Sequence, residues 1–87
     1  MDGRGALELA KECAAAGLVR FTLHARERMD ERGALPRDVV NAICTAKRAG
    51  QGNQEGRWVL RGGVDEEGED LAVVVAFEGD VLVITLF

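Results

Sequence analysis

The sequence predicts an α+β domain in which N-terminal helices pack on a small, mainly antiparallel sheet, in the element order α-β-α-α-β-β-β. Apolar residues recur at helical spacing through the first half of the chain, and from residue 57 onward the pattern changes to strand-like runs. Those runs follow one another through short turns, which gives a meander and leaves no room for the crossover helices of a parallel sheet. With no internal repeat or linker, residues 1–87 read as a single domain.

Ala6, Leu9, Ala10, Cys13 and Ala14 fall on one helical stripe, and Gly17 follows where a left-handed cap would stop the first helix. The segment LVRFT (18–22) has β-branched and aromatic residues over too short a span for a helix, so it reads as a brief strand. Thr22 is a candidate N-cap for a second helix over 23–32, LHARERMDER, which stops at Gly33 and contributes only Leu23, Ala25 and Met29 as apolar groups. Pro36 suits the first position of a third helix and Asp38 its positive end. Val39, Val40, Ile43 and Cys44 form its expected buried stripe up to about Lys47. AGQGNQEG (49–56) has three glycines and little to bury, so a loop is expected there. Three strands then follow over 57–64, 71–77 and 81–87, joined through DEEGED and Glu78-Gly79-Asp80. The last two, LAVVVAF and VLVITLF, are apolar on both alternating faces and are expected in the sheet interior.

Hydrophobic residues make up 47% of the 87, enough for a modest core without staples. No apolar run approaches the roughly 20 residues needed to cross a bilayer, and MDGRGALELAKE carries charges where a signal peptide needs an apolar stretch. A soluble, cytoplasmic domain is therefore expected. Cys13 and Cys44 lie 31 positions apart, with no CxxC and one histidine in the chain, a set too small for a four-ligand zinc site. Both are expected to be buried thiols, and neither a metal nor a cofactor is expected.

The net charge of −4 conceals a partition: residues 20–61 carry nine Arg/Lys against five Asp/Glu, and residues 62–87 carry seven acids and no base. If folding keeps these surfaces apart, the basic one can face phosphates although the whole molecule is acidic.

Chemistry concentrates in the second helix and the strand after the glycine-rich segment. His24, Arg28 and Arg32 are spaced four and four, nearly one line on a helix, with Arg26 off it. An imidazole that carries protons near neutral pH, beside guanidinium forks shaped for phosphate, supplies the parts of a metal-free ribonuclease. The same pattern also suits a solvated helix whose arginines pair with Glu27, Asp30 or Glu31. Arg57 and Arg61 point to one face of their strand, Trp58 and Leu60 to the other, so Trp58 reads as a core anchor. GQGNQEG precedes a strand and lacks the lysine and hydroxyl of a phosphate loop, and DEEGED lacks EF-hand spacing.

The leading helix into AAAGLVRFT, then HARERMDERG, LPRDVVNAI, a Trp-bearing strand and LAVVVAFEGDVLVITLF together resemble, over residues 5–87, the small MqsR-like toxins of bacterial toxin–antitoxin systems within the broader RelE-type ribonucleases. They also resemble a domain family marked by a His-Ala-xx-Arg-xxx-Arg motif, matched here by His24, Ala25, Arg28 and Arg32. The resemblance implies a RelE/MqsR-like fold and an endoribonuclease that cleaves mRNA. Its partner would be a separately encoded antitoxin protein, a zinc-finger portion being one form of it; a homo-oligomer is the other association open to the chain. MqsR-like toxins use a lysine, a glutamine and a tyrosine around the sheet, whereas Arg61 falls near the glutamine position, Ala72 near the tyrosine position, and the chain has no tyrosine. On this reading His24, Arg28 and Arg61 are the candidate catalytic residues, and Arg26, Arg32, Lys47 and Arg57 guide RNA. The alternative is a non-catalytic protein-interaction module of the same fold, working through its acidic turns and basic helix.

Overall fold

The computed structural model describes residues 1–87 and has the α+β architecture expected, with one strand more than the sequence predicts. Helix α1 spans Gly3–Ala15, β1 Val19–Phe21, α2 Leu23–Arg32 and α3 Pro36–Thr45. Four strands follow: β2 Arg48–Gln51, β3 Trp58–Arg61, β4 Val73–Phe77 and β5 Val81–Leu86. They form one sheet in the order β1-β5-β4-β3-β2, antiparallel throughout except for the parallel pairing of β1 with β5. As expected, β4 and β5 are interior strands. No helix is long and apolar enough to cross a membrane.

The extra strand corrects the loop expected over 49–56. Arg48–Gln51 pairs residue for residue with Trp58–Arg61, and only Gly52–Arg57 turns the chain round, closed by the Gly52 N–H donating to the Arg57 carbonyl (2.8 Å). Segment 48–51 buries little, so hydrophobic pattern cannot reveal it; ladder hydrogen bonds to β3 hold it. Strand β3 ends at Arg61, not Val64, because Gly62 turns the backbone left-handed (φ 84°), and Val64 keeps a lone bridge to Asp70.

Only one face of the sheet is covered. Trp58, Leu60, Val73, Val75, Val81, Val83 and Leu86 are buried together with Ala6, Ala10 and Cys13 of α1 and Val39, Ala42 and Ile43 of α3. The small residues of α1 bring its backbone close to the sheet. On α3 the buried stripe is Val39, Ala42 and Ile43, so Cys44 is exposed, contrary to expectation: one residue past Ile43, it is turned about 100° away from the core. Cys13 is buried and neither thiol is paired. Leu23 is likewise exposed, leaving Ala25 and Met29 to anchor α2. Gly63 is buried where α3 crosses the chain, and a side chain there would collide with the Ala42 carbonyl.

The caps are those the sequence indicates. Thr22 Oγ1 accepts from the Ala25 N–H (3.0 Å), and Gly33 ends α2 in the left-handed conformation (φ 68°). Pro36 opens α3, and Asp38 reaches back to accept from the Leu35 N–H (2.9 Å).

Candidate RNA-binding and catalytic site

The uncovered sheet face is built by alternation. Trp58 and Leu60 turn into the core, so Arg57, Val59 and Arg61 turn out. Across the β2–β3 ladder Arg48 stands directly opposite Arg61, on the same face. Like charges placed so are destabilising, and Arg48, Arg57 and Arg61 take part in none of the ion pairs; the nearest acids are Asp70, in the hollow with Arg48 and Arg61, and Glu55, in the hairpin beside Arg57. Nothing around Arg48 in the sequence signals a strand, since Arg48–Gln51 becomes one only by pairing with β3.

On β5 a β-bulge decides what the face presents. Val74 pairs with Thr85 but Val75 pairs with Val83, so Ile84 is an extra residue. Strict alternation from Val81 and Val83 would send Thr85 and Phe87 into the core and Leu86 out. The bulge reverses this: Leu86 is buried, Thr85 is half-buried on the open face, and Phe87 is exposed. Phe87 and Ala72 exchange both backbone hydrogen bonds (2.8 and 2.9 Å), and Ala72 continues β4 one place beyond the Leu60–Val73 pair, opposite Arg61. The small Ala72 side chain lets the Arg61 guanidinium lie across it, 5.3 Å from the centre of the Phe87 ring.

The result is an open concavity of about 420 Å³ with an apolar floor of Val59, Val74 and Ile84. Arg57 and Arg61 stand at its ends, Thr85 on the β5 side, and Gln51, Asn53 and Gln54 of the β2–β3 hairpin along its rim, with no acid among its lining residues. An adjoining hollow beyond Arg61 contains Arg48 and Phe87 and also the exposed Asp70.

Helix α2 borders this face along the β5 edge that β1 leaves free. The β1 pairing stops at Val83; there the Thr22 N–H donates to the Val83 carbonyl (3.0 Å) and Thr22 Oγ1 donates to the carbonyl of the bulge residue Ile84 (3.0 Å). Farther along, Arg28 Nε donates to the Leu86 carbonyl (3.3 Å). The flank of α2 that carries Arg28 therefore meets the end of β5. His24, one turn earlier and about 40° round, shares that flank. It is exposed, with no hydrogen-bond or ion-pair partner in the protein. Arg28 has only a loose contact with Glu31 (3.8 Å).

The remaining sequence candidates lie elsewhere. Arg26 projects from the other flank of α2, over the Phe21 ring (5.7 Å to its centre). Arg32 is exposed in the last turn of α2. Lys47 lines another small hollow, with Arg4, Leu7 and Arg48, at the α1 side of β2. The structure thus brings His24 and Arg28 to the border of the face that carries Arg57 and Arg61, adds Arg48, Thr85 and Phe87, and places Arg26 and Lys47 away from it.

Several acids are engaged apart from this face. Arg20 holds Asp80 through a two-pronged contact (2.6 and 3.1 Å), and this hydrogen-bonded guanidinium keeps the Asp80 carboxyl below the usual carboxylate range. Arg37 pairs with Glu66 (2.7 Å). Asp38 is also held low, first by the Leu35 N–H and then by the Glu66 N–H, so it both caps α3 and ties down the acidic loop. The acidic segment thus meets the basic one at Arg20 and Arg37, while Arg48, Arg57 and Arg61 form no ion pair.

No curated protein and no solved structure matches the chain. The family model described as a domain of unknown function, DUF4258, matches residues 21–87, from β1 through the end of β5 and including α2 with His24, and the chain belongs to that family.

Proposed function

We propose that this protein is a metal-independent endoribonuclease that cleaves mRNA, the toxin of a bacterial type II toxin–antitoxin pair restrained by a cognate antitoxin protein. One observation carries the reading: three arginines share an uncovered sheet face without an acid partner, and an unengaged histidine stands on the helix flank bordering it. Charges that only keep the β2 edge soluble need not be placed as like-charged partners across a ladder, as Arg48 and Arg61 are. Phosphate supplies the missing counter-charge in bidentate geometry, and the open apolar floor admits a base from an unpaired strand.

In this mechanism His24 removes the proton of a ribose 2′-hydroxyl and the 2′-oxygen attacks the adjacent phosphorus. The bond to the 5′-oxygen breaks, leaving a 2′,3′-cyclic phosphate and a 5′-hydroxyl, whose proton returns from the imidazolium through solvent. Arg61 and Arg28 stabilise the charge that grows on the phosphoryl oxygens, and Arg57 and Arg48 hold the strand on either side. No step calls for a metal ion.

The test is cleavage of an end-labelled, unstructured RNA by the wild type and by His24→Ala, alongside induced expression of both. The expected outcome is growth arrest and RNA fragments with the wild type, and cleavage reduced roughly 10²- to 10⁴-fold in a variant that remains folded. Undiminished cleavage by His24→Ala removes the histidine from the chemistry. A wild type that neither arrests growth nor cuts RNA at any dose transfers the fold to the interaction-module reading.

A further inference from the structure

Three side-chain hydroxyls occur in the whole chain, on Thr22, Thr45 and Thr85, since it has neither serine nor tyrosine. Two are committed inside the protein. Thr22 Oγ1 donates to Ile84 and caps α2. Thr45 Oγ1 donates to the Asn41 carbonyl (2.7 Å) and accepts from the Val64 N–H (2.9 Å). Thr85 alone has no intramolecular partner, although it is half-buried. It is also the single polar residue of β5, amid Val81, Leu82, Val83, Ile84 and Leu86, where valine would serve the strand and the apolar floor equally well.

Its position is as specific as its chemistry. Thr85 stands across β4 from Val59, two rows from the one that holds Arg61 and on the same face, on the strand whose edge α2 borders. It therefore lies between the helix carrying His24 and the arginine-bearing strand. It reaches this face only because the Ile84 bulge shifts the alternation, and bulges of this kind re-aim side chains beside functional sites. The bulge is itself tied down through Thr22 to the start of the His24 helix.

We propose that Thr85 is a further substrate-contacting residue, its hydroxyl donating to a phosphoryl oxygen of single-stranded RNA held between Arg61 and the His24 flank; this rests on the ribonuclease reading above. A hydroxyl adds a short, directional donor on the β5 side of the concavity, where the long arginine side chains opposite give charge but less positional control.

The experiment measures binding of a 2′-O-methyl oligouridylate, which cannot be cleaved through its 2′-oxygen, and cleavage of the matching RNA. Wild type, Thr85→Val, Thr85→Ser and the double variant Arg48→Gln/Arg61→Gln are compared, with thermal unfolding recorded for each. Thr85→Val removes the hydroxyl and keeps shape and strand preference. Binding is expected to weaken roughly 10-fold or more, the value of a hydrogen bond to a charged group, with the unfolding midpoint held or raised. Thr85→Ser is expected within about 3-fold of wild type, since only one methyl contact is lost. Thr85→Val binding and cutting like wild type, or Thr85→Ser as weak as Thr85→Val, overturns the assignment of Thr85 alone. RNA binding absent from the wild type, or unchanged in the double arginine variant, overturns the ribonuclease reading and this assignment with it.

Discussion

The two ways this molecule uses arginine make an instructive contrast. At the β4–β5 turn and at the head of α3, Arg20 and Arg37 each meet carboxylates, so the loops they hold are pinned by complementary charge. On the uncovered sheet face, Arg48 and Arg61 oppose one another and Arg57 stands nearby, none of them neutralised. With seven acids between residues 62 and 87, the chain has carboxylates to spare. It uses some of them to fasten loops, while the patch of Arg48, Arg57 and Arg61 forms no ion pair, which is the charge imbalance that the proposed RNA substrate would complete.

The widest separation between the two sheet faces is expected from truncation. Leu60→Ala opens a hole among fully buried neighbours and should cost roughly 2–5 kcal/mol, whereas Val59→Ala on the exposed face of the same strand should cost well under ~1 kcal/mol, only part of a valine being covered there. Urea unfolding of the two variants measures the difference, and equal losses would mean that the Val59 face is also a packed interior. A smaller effect comes from reversing one charge. Arg48→Glu converts the cross-strand clash into an opposite-charge pair with Arg61, worth roughly 0.2–1 kcal/mol relative to a neutral pair. It should raise the urea midpoint while abolishing RNA binding; a lower midpoint would show that Arg48 is held by something other than its pairing with β3. The smallest effect concerns the paired arginine region. Asp38 and Asp80 titrate below the ordinary carboxylate range when folded, so the stability they contribute is present above the unfolded pKa and is lost as pH falls through their folded values. Urea midpoints should therefore decline only below about pH 4, and Asp80→Asn should flatten that decline. A decline already visible between pH 7 and 5 would point to a different group.

Much of this could be read from residue order. Thr22, Gly33, Pro36 and Asp38 act where their local chemistry places them, and the contrast of Trp58 and Leu60 with Arg57 and Arg61 fixes two faces before any tertiary contact is known. The errors share one cause, a dependence on partners distant in sequence. Arg48-Ala49-Gly50-Gln51 has no strand signature of its own and becomes a strand because β3 offers a ladder. Thr85 and Phe87 change faces because of a bulge that nothing in VLVITLF announces, since every residue there is compatible with unbroken alternation. Helical spacing puts Cys44 on the expected stripe of α3 and Leu23 among the apolar groups of α2, and the orientations of the two helices leave both side chains outside the core. Those same long-range features bring Arg48 and Thr85 to the candidate site, which is why the site was less legible than the elements that frame it.

The pairing of β1 with β5 has a temporal side. Val19 lies beside Val81, and the start of α2 is fastened to the Val83 and Ile84 carbonyls, so residues separated by more than two-thirds of the chain must meet before the histidine-bearing helix has anything to rest on. On a ribosome, α1, α2 and α3 emerge long before that support exists, and contacts of such high sequence separation form late. A nascent copy therefore carries its imidazole and its arginines without the geometry that unites them until residues 81–86 have been added and have closed the sheet.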